Sequence, residues 1–283
     1  MRKVILISFI ALFPIFLIAQ HYEVGVMLGG STYMGDLVPE RKAISTGAYH
    51  FAGGAFVRYN NNEMLNTKLA VNFGHISADD ANSSVESRRR RNLSFKSPLL
   101  EASLTAEINI LGYDSKFLTS TFSPYVFMGI SWYKFNPMAE LNDTWVELQP
   151  LGTEGQGLPE LPDRQPYKLS GFSIPMGAGL KFALNDKINI GAEVGMRKTF
   201  TDYLDDVSHF YAGDDLLIEN GKETTLLLSN RSDRPRTSES QRGNPTQNDL
   251  YLFGGLTVSF NLNDNGLVGT RSKSRKGIGC PTF

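Results

Sequence analysis

Residues 100–110 read Leu-Glu-Ala-Ser-Leu-Thr-Ala-Glu-Ile-Asn-Ile. One parity is apolar throughout: Leu100, Ala102, Leu104, Ala106, Ile108 and Ile110. The other is polar throughout: Glu101, Ser103, Thr105, Glu107 and Asn109. Strand side chains alternate between two faces, so this period of two predicts a strand with one apolar and one polar face. A helix would set Glu101 beside Leu104 and Ile108 and mix the faces. The stretch is long for a soluble sheet and close to what a tilted strand needs to cross a bilayer.

The same rule recurs along the chain. Residues 22–33, 51–59, 68–73, 125–135, 172–184, 188–196 and 250–260 alternate in the same way, which with 100–110 makes eight strands. Asn60-Asn61-Asn62-Glu63 and Asn185-Asp186 read as tight turns between them. The connections alternate long and short. The long ones, 35–48, 77–92, 137–165 and 204–248, all fall on one side of an up-and-down sheet. The tight turns and both ends fall on the other. The pattern predicts an all-β, eight-stranded antiparallel up-and-down transmembrane barrel of the outer membrane. Its long loops are extracellular and its short turns periplasmic. A soluble sandwich gives no reason to sort its loops in this way.

The ends fit this reading. Arg2 and Lys3 precede an apolar run from Val4 to Ile18 and then Ala19-Gln20, so 1–19 reads as a signal peptide. No Cys follows that run, as a lipoprotein would require. Cleavage leaves 26 basic against 29 acidic residues, a net charge of −3 with His neutral, and nothing global suggests nucleic acid. The barrel is expected over 20–263 and a basic periplasmic tail over 264–283. That tail carries Arg271, Lys273, Arg275 and Lys276, then the single Cys of the chain, Cys280, and the terminal Phe283. It reads either as an arm that docks a partner or as a frayed terminus. One Cys in an exported chain forms no internal disulfide.

In an outer membrane the apolar parity faces lipid and the polar parity the lumen. The polar parity carries Glu23, Glu101, Glu107 and Glu193 against Arg58, Lys68, Lys181 and Arg197. Eight strands leave room for side chains and none for a wide pore. Lone buried charges are costly, so mutual ion pairs are expected. Gly54, Gly129, Gly177, Gly179, Gly191 and Gly195 are expected to make room for the long charged side chains. Tyr22, Tyr49, Tyr59, Tyr125, Trp132, Tyr133, Phe172, Tyr203, Tyr251 and Phe260 suggest interfacial girdles.

No catalytic constellation is legible. His21, His50, His75 and His209 lack metal spacing, and no Gly-x-Ser-x-Gly or phosphate-cradling loop occurs. The sequence therefore predicts no enzyme and no cofactor. Asp202, Asp205 and Asp206 read as solvated carboxylates capping a strand end, with a divalent cation as the sharper alternative. Arg88 to Arg91 reads as a solvated loop tip or as a site for lipid phosphates or an acidic partner.

Three stretches carry a family resemblance: Leu148-Gln149-Pro150-Leu151-Gly152-Thr153-Glu154-Gly155-Gln156-Gly157, Thr199-Phe200-Thr201-Asp202-Tyr203-Leu204-Asp205-Asp206-Val207, and Cys280-Pro281-Thr282-Phe283. Together they resemble the PorG-type outer-membrane barrels of the Bacteroidetes, the DUF6089 family. The resemblance implies a component of the type IX secretion system that attaches a periplasmic ring, built from PorK- and PorN-type proteins, to the outer membrane. It also implies that Cys280 pairs covalently with the ring lipoprotein. Thr282 stands where a basic residue is common in the family. The expected function is thus a non-enzymatic secretion anchor, with a structural or adhesive barrel as the alternative. The expected partners are outer-membrane lipid and the periplasmic ring.

Overall fold

A computed structural model of the chain describes residues 21–38, 49–115 and 118–262. The expected signal peptide and the tail with Arg271, Lys273, Arg275, Lys276, Cys280 and Phe283 lie outside the described residues. The described residues form ten strands: β1 (His21–Met34), β2 (His50–Asn60), β3 (Leu65–Asp79), β4 (Ser94–Asn109), β5 (Phe122–Phe135), β6 (Met138–Leu141), β7 (Thr144–Glu147), β8 (Ser170–Ala183), β9 (Ile188–Thr199) and β10 (Leu250–Asn261). Each pairs antiparallel with its neighbours in the order β3-β2-β1-β10-β9-β8-β5-β4, and β3 pairs with β4 to close the ring. The result is a closed eight-stranded up-and-down barrel, and closure leaves no free sheet edge. β6 and β7 form a small hairpin joined to β4 beyond the ring.

The alternation of residues 100–110 becomes an inside and an outside. Along β4, Glu101, Ser103, Thr105, Glu107 and Asn109 are buried, whereas Leu100, Leu104 and Ile108 are exposed. The same holds around the ring, with Leu256 at 68% and Ile130 at 63% exposure while Glu23, Glu101 and Glu107 stand at 0%. A charged interior and an apolar exterior invert the distribution of a soluble protein and match that of a barrel in a bilayer. The connections 61–64, 110–121 and 184–187 lie at one rim. The described residues of connections 35–49, 80–93, 136–169 and 200–249 lie at the other.

The strands run further than the sequence pattern suggested. β3 covers Leu65–Asp79 where alternation had marked only 68–73, and β4 starts six residues before Leu100. The reason is a phase inversion. In β3, Leu69, Val71 and Phe73 point outward, but beyond them Ile76 and Ala78 are buried and His75, Ser77 and Asp79 face out. Phe95 and Leu99 in β4, Tyr133 and Phe135 in β5, and Tyr251 and Phe253 in β10 are likewise buried. Toward the loop rim the barrel thus becomes apolar inside and polar outside, as in a protein standing in water. Tyr33, Ile76, Phe95, Leu99, Tyr133, Phe135 and Phe253 there join Leu148, Leu204, Val207 and Leu228 of the loops in one core.

The expected girdle is corrected in part. Tyr125, Tyr133 and Tyr251 belong to no interfacial girdle, since each is buried in the barrel. Tyr22, Tyr49, Trp132, Phe172 and Phe260 do lie exposed. Of the inner glycines, Gly177, Gly179 and Gly195 make room for rings, and Gly195 also for the Arg197 guanidinium, 2.9 Å from its built Cβ. A Cβ on Gly195 or Gly177 would meet Phe127 Cζ at 2.5 or 2.6 Å, and one on Gly179 would meet Tyr125 Cζ at 2.5 Å.

Candidate functional site

The lumen and the loop cap above it hold most of the buried charge. In the lumen, the fully buried Glu107 receives Arg58 Nε at 2.9 Å and Lys181 Nζ at 2.5 Å, with Lys68 Nζ at 3.5 Å. Arg58 also donates from Nη1 to Glu23 at 2.7 Å, and Lys68 pairs with Glu193. Higher in the barrel Arg197 Nε reaches Glu101 at 3.0 Å. The eight charges expected on the inner face thus meet as one network of six and one pair.

Neutral groups complete the acceptors. Asn60 Nδ2 and Ser259 Oγ donate to Glu23 at 2.7 and 3.0 Å. Tyr125 donates to Glu193 at 2.6 Å and Tyr251 to Glu101 at 2.8 Å. Rings flank the cations, with Lys181 Nζ 4.3 Å from the Tyr125 centroid and Arg197 Cζ 4.9 Å from that of Phe253. A void of about 10 Å³ beside Phe56, Lys68, Phe127 and Glu193 has room for roughly one water. A lumen packed in this way is sealed by its own side chains.

The long loops fold as a cap. α1 (Glu86–Arg91), α2 (Asp214–Glu219) and α3 (Glu223–Ser229) lie in it with the β6–β7 hairpin. The two internal stretches that carried the family resemblance meet there. Thr153 Oγ1 donates to Asp206 Oδ2 at 2.5 Å. Glu154 accepts from Ser208 N at 2.8 Å, His209 N at 3.2 Å and the Tyr203 hydroxyl at 3.2 Å. Arg242, fully buried, reaches both Glu154 and Asp206 at 3.3 Å and also donates to the Asp206 carbonyl. The glycines of the first stretch permit its turn. Gly152 and Gly155 adopt φ of 66° and 83°, and a Cβ on Gly152 would meet the Gln156 carbonyl at 2.5 Å. Arg164 joins further strands of loop, donating to the carbonyls of Glu154 at 2.7 Å and Tyr211 at 2.8 Å.

Asp202, Asp205 and Asp206 are therefore not solvated, because the loops pack over them. Asp206 is held by Thr153, Arg242 and the Tyr167 hydroxyl at 2.6 Å. The Tyr33 hydroxyl lies 2.6 Å from Asp205 Oδ2 and 2.8 Å from Asp249 Oδ1. A hydroxyl carries one proton to donate, so one carboxyl of that pair must bring its own. Asp202 is 6% exposed, and among the described residues neither of its oxygens has a hydrogen-bond partner. Burial pushes Asp202 up to about 9 and Asp205 to about 8. Burial raises Asp206 less, to about 6, against the Arg242 guanidinium and the Thr153 and Tyr167 hydroxyls. Burial and the neighbouring Asp205 raise Asp249 too. Among the described residues no three metal-ligating side chains converge.

The arginine run is split. Arg89 and Arg90 are exposed, and Arg90 pairs with Glu86 one turn away at 2.5 Å. Arg91 turns inward, pairing with Asp80 at 2.7 Å and donating to the Arg242 carbonyl at 2.6 Å. It staples loops and is no part of a solvated tip. Ser208 Oγ lies 2.7 Å from His209 Nδ1, but Ser208 is fully buried and offers no nucleophile to a substrate. Sequence reasoning missed Arg242, Asp249, Asp80 and Tyr33 as cap residues. Thr153, Glu154, Tyr203, Asp205 and Asp206 carried a signal, since they lie in the stretches of the family resemblance.

A model of a family described as Domain of unknown function (DUF6089) matches residues 2–150. No curated protein matches the chain. Among solved structures, the N-terminal β-barrel domain of Pseudomonas aeruginosa OprF is 12% identical, covering 85% of this chain and 97% of that one, with a TM-score of 0.36. Ail, the attachment invasion locus protein of Yersinia pestis, is 10% identical over 87% of this chain and 100% of that one, at 0.38. Neisserial surface protein A is 10% identical over 85% and 96%, at 0.39. Similarities this low speak to no activity.

Proposed function

We propose that this chain, which belongs to the DUF6089 family, is a non-enzymatic outer-membrane component of the type IX secretion system. In this reading it holds a periplasmic ring through its short-turn rim and C-terminal tail. The observation that carries the reading is the sealed lumen. A barrel filled by Glu107, Arg58, Lys68, Lys181 and their partners passes no cargo, so its work is done at its rims. The first and last barrel strands pair from Glu23 to Asn261, and Leu262 N donates to the Tyr22 carbonyl at 2.7 Å. The last described residues therefore lie beside the short turns. Arg271, Lys273, Arg275 and Lys276 supply charge for docking, and Cys280 and Phe283 supply a thiol and a ring.

A non-reducing pull-down of the full chain from outer membranes tests this reading. A lipoprotein linked through Cys280, lost in Cys280→Ser together with efficient secretion, is the expected result. Normal secretion and no linked partner in that variant would remove the docking arm. The second reading, a structural or adhesive barrel, draws on the folded cap joining Glu154, Asp206 and Arg242, since an ordered loop surface suits contact outside the cell. Deletion of the gene with secretion intact would favour it.

A further inference from the structure

The outward face of the barrel is charged only at its loop end. Among the described residues, the outward positions of the eight barrel strands carry Lys96 in β4, Lys134 in β5, Lys198 in β9 and Asp79 at the tip of β3, and no other Lys, Arg, Asp or Glu. Asp79 is engaged locally, accepting from Ala81 N at 2.8 Å. The three lysines begin where the strands change phase, directly past the apolar band. Long cationic side chains at such a boundary lay their stems on apolar surface and their ammonium groups among polar head groups.

On the β2–β3–β4 wall this fringe gathers into a cluster of polar side chains. Lys96 is the register partner of Ser77. Ser77 Oγ lies 2.6 Å from His50 Nε2, and the His50 ring is 6.5 Å from that of His75. Lys96 Nζ sits 5.6 Å from the centroid of Trp145, a half-exposed ring on the β6–β7 hairpin. Beneath them Phe51 and Phe73, with ring centroids 6.4 Å apart, stand exposed on the outer wall. A lysine, two imidazoles and a hydroxyl thus lie above an aromatic platform, with an indole alongside.

We infer that this patch binds the phosphate of an anionic lipid in the leaflet at the loop rim, its acyl chains lying on Phe51, Phe73 and Leu100. Charge complementarity selects the phosphate, and continuity with the apolar wall selects a lipid over a soluble anion or an acidic protein. The inference rests on the reading of the barrel as an outer-membrane protein.

The full chain is folded into phosphatidylcholine nanodiscs that carry bisphosphorylated lipid A, and retained lipid is measured by native mass spectrometry. Wild-type protein retains lipid A in preference to the same lipid without its phosphates. Lys96→Gln weakens that preference about fivefold, the value of one lysine at an anionic surface, and His75→Gln weakens it further. Lys187→Gln, exposed in the turn at the opposite rim, leaves it unchanged. Equal retention of the dephosphorylated lipid overturns the inference, as does full retention by the Lys96→Gln/Lys134→Gln/Lys198→Gln variant. Displacement by matched inorganic phosphate, or capture of an acidic protein in place of lipid, overturns the lipid assignment. A chain that never enters the nanodisc contradicts the outer-membrane reading itself. One that enters, shows heat-modifiable gel mobility and lacks phosphate preference contradicts only the inference.

Discussion

Glu107 is the residue on which most of the buried charge converges, with Arg58, Lys68 and Lys181 all within 3.5 Å. Removing its charge leaves Arg58, Lys68 and Lys181 close together with one buried carboxylate fewer among them. We expect Glu107→Gln to destabilise the barrel by about 3–5 kcal/mol, the usual cost of breaking a buried pair from one side. The midpoint of urea unfolding in lipid vesicles reads this out. Glu86→Gln, which breaks the exposed pair with Arg90, should stay within about 0.5 kcal/mol of wild type. Parity made the inward direction of all eight charges legible in the sequence. It did not reveal who meets whom, because that depends on how the strands stagger around the ring. Arg197 finds Glu101 from 96 positions away, on a strand that is not its neighbour. The rings that fill the space above the glycines were hidden for a related reason. Phe127 and Tyr125 share the polar parity, and only the register of β5 against β8, and of β8 against β9, shows that Gly177, Gly179 and Gly195 lie across from them.

At the scale of elements, the strands were legible where lipid and lumen impose opposite polarities. They faded where the phase inverts, at Ile76 and Ala78 in β3 and Phe95 and Leu99 in β4. The cap was legible only as long loops gathered at one rim and as two stretches of family resemblance, since loops carry no period. Asp202, Asp205 and Asp206 look like surface residues until Arg242 and Asp249, far along the chain, close over them. Their burial gives the cap a pH dependence whose sign is fixed. Each aspartate holds its proton more tightly in the closed cap than in the opened chain, where its value is the ordinary 3.8. Raising the pH therefore ionises the open form first and favours it. Cap stability should fall above that ordinary value. Asp206 completes its share by about pH 6, Asp205 by about 8 and Asp202 by about 9. Near-ultraviolet circular dichroism of the stacked Tyr167 and Tyr203 rings, 4.6 Å apart, follows cap opening in urea. The midpoint should drop from pH 5 to pH 9, and Asp202→Asn should flatten the upper part of that fall. A midpoint that does not move with pH would contradict buried, protonated carboxyls.

The whole molecule stacks three environments along one axis. A short-turn rim leads into a charged, sealed lumen wrapped in apolar side chains, and that leads into an apolar core covered by polar loops. Each layer follows from the solvent its outer face meets. The central claim is therefore that the apolar parity of the strands touches hydrocarbon. The chain holds two tryptophans, which makes the test direct. Trp132 points outward from β5, paired in register with Ala102 and Phe172, whereas Trp145 sits on the loop hairpin. Trp145→Phe leaves Trp132 as the only indole. In vesicles of phosphatidylcholine brominated along the acyl chain, its emission should be blue-shifted and strongly quenched, because bromine quenches only on close approach. Red-shifted emission that brominated chains leave unquenched, from protein that has entered the vesicles, would contradict the account.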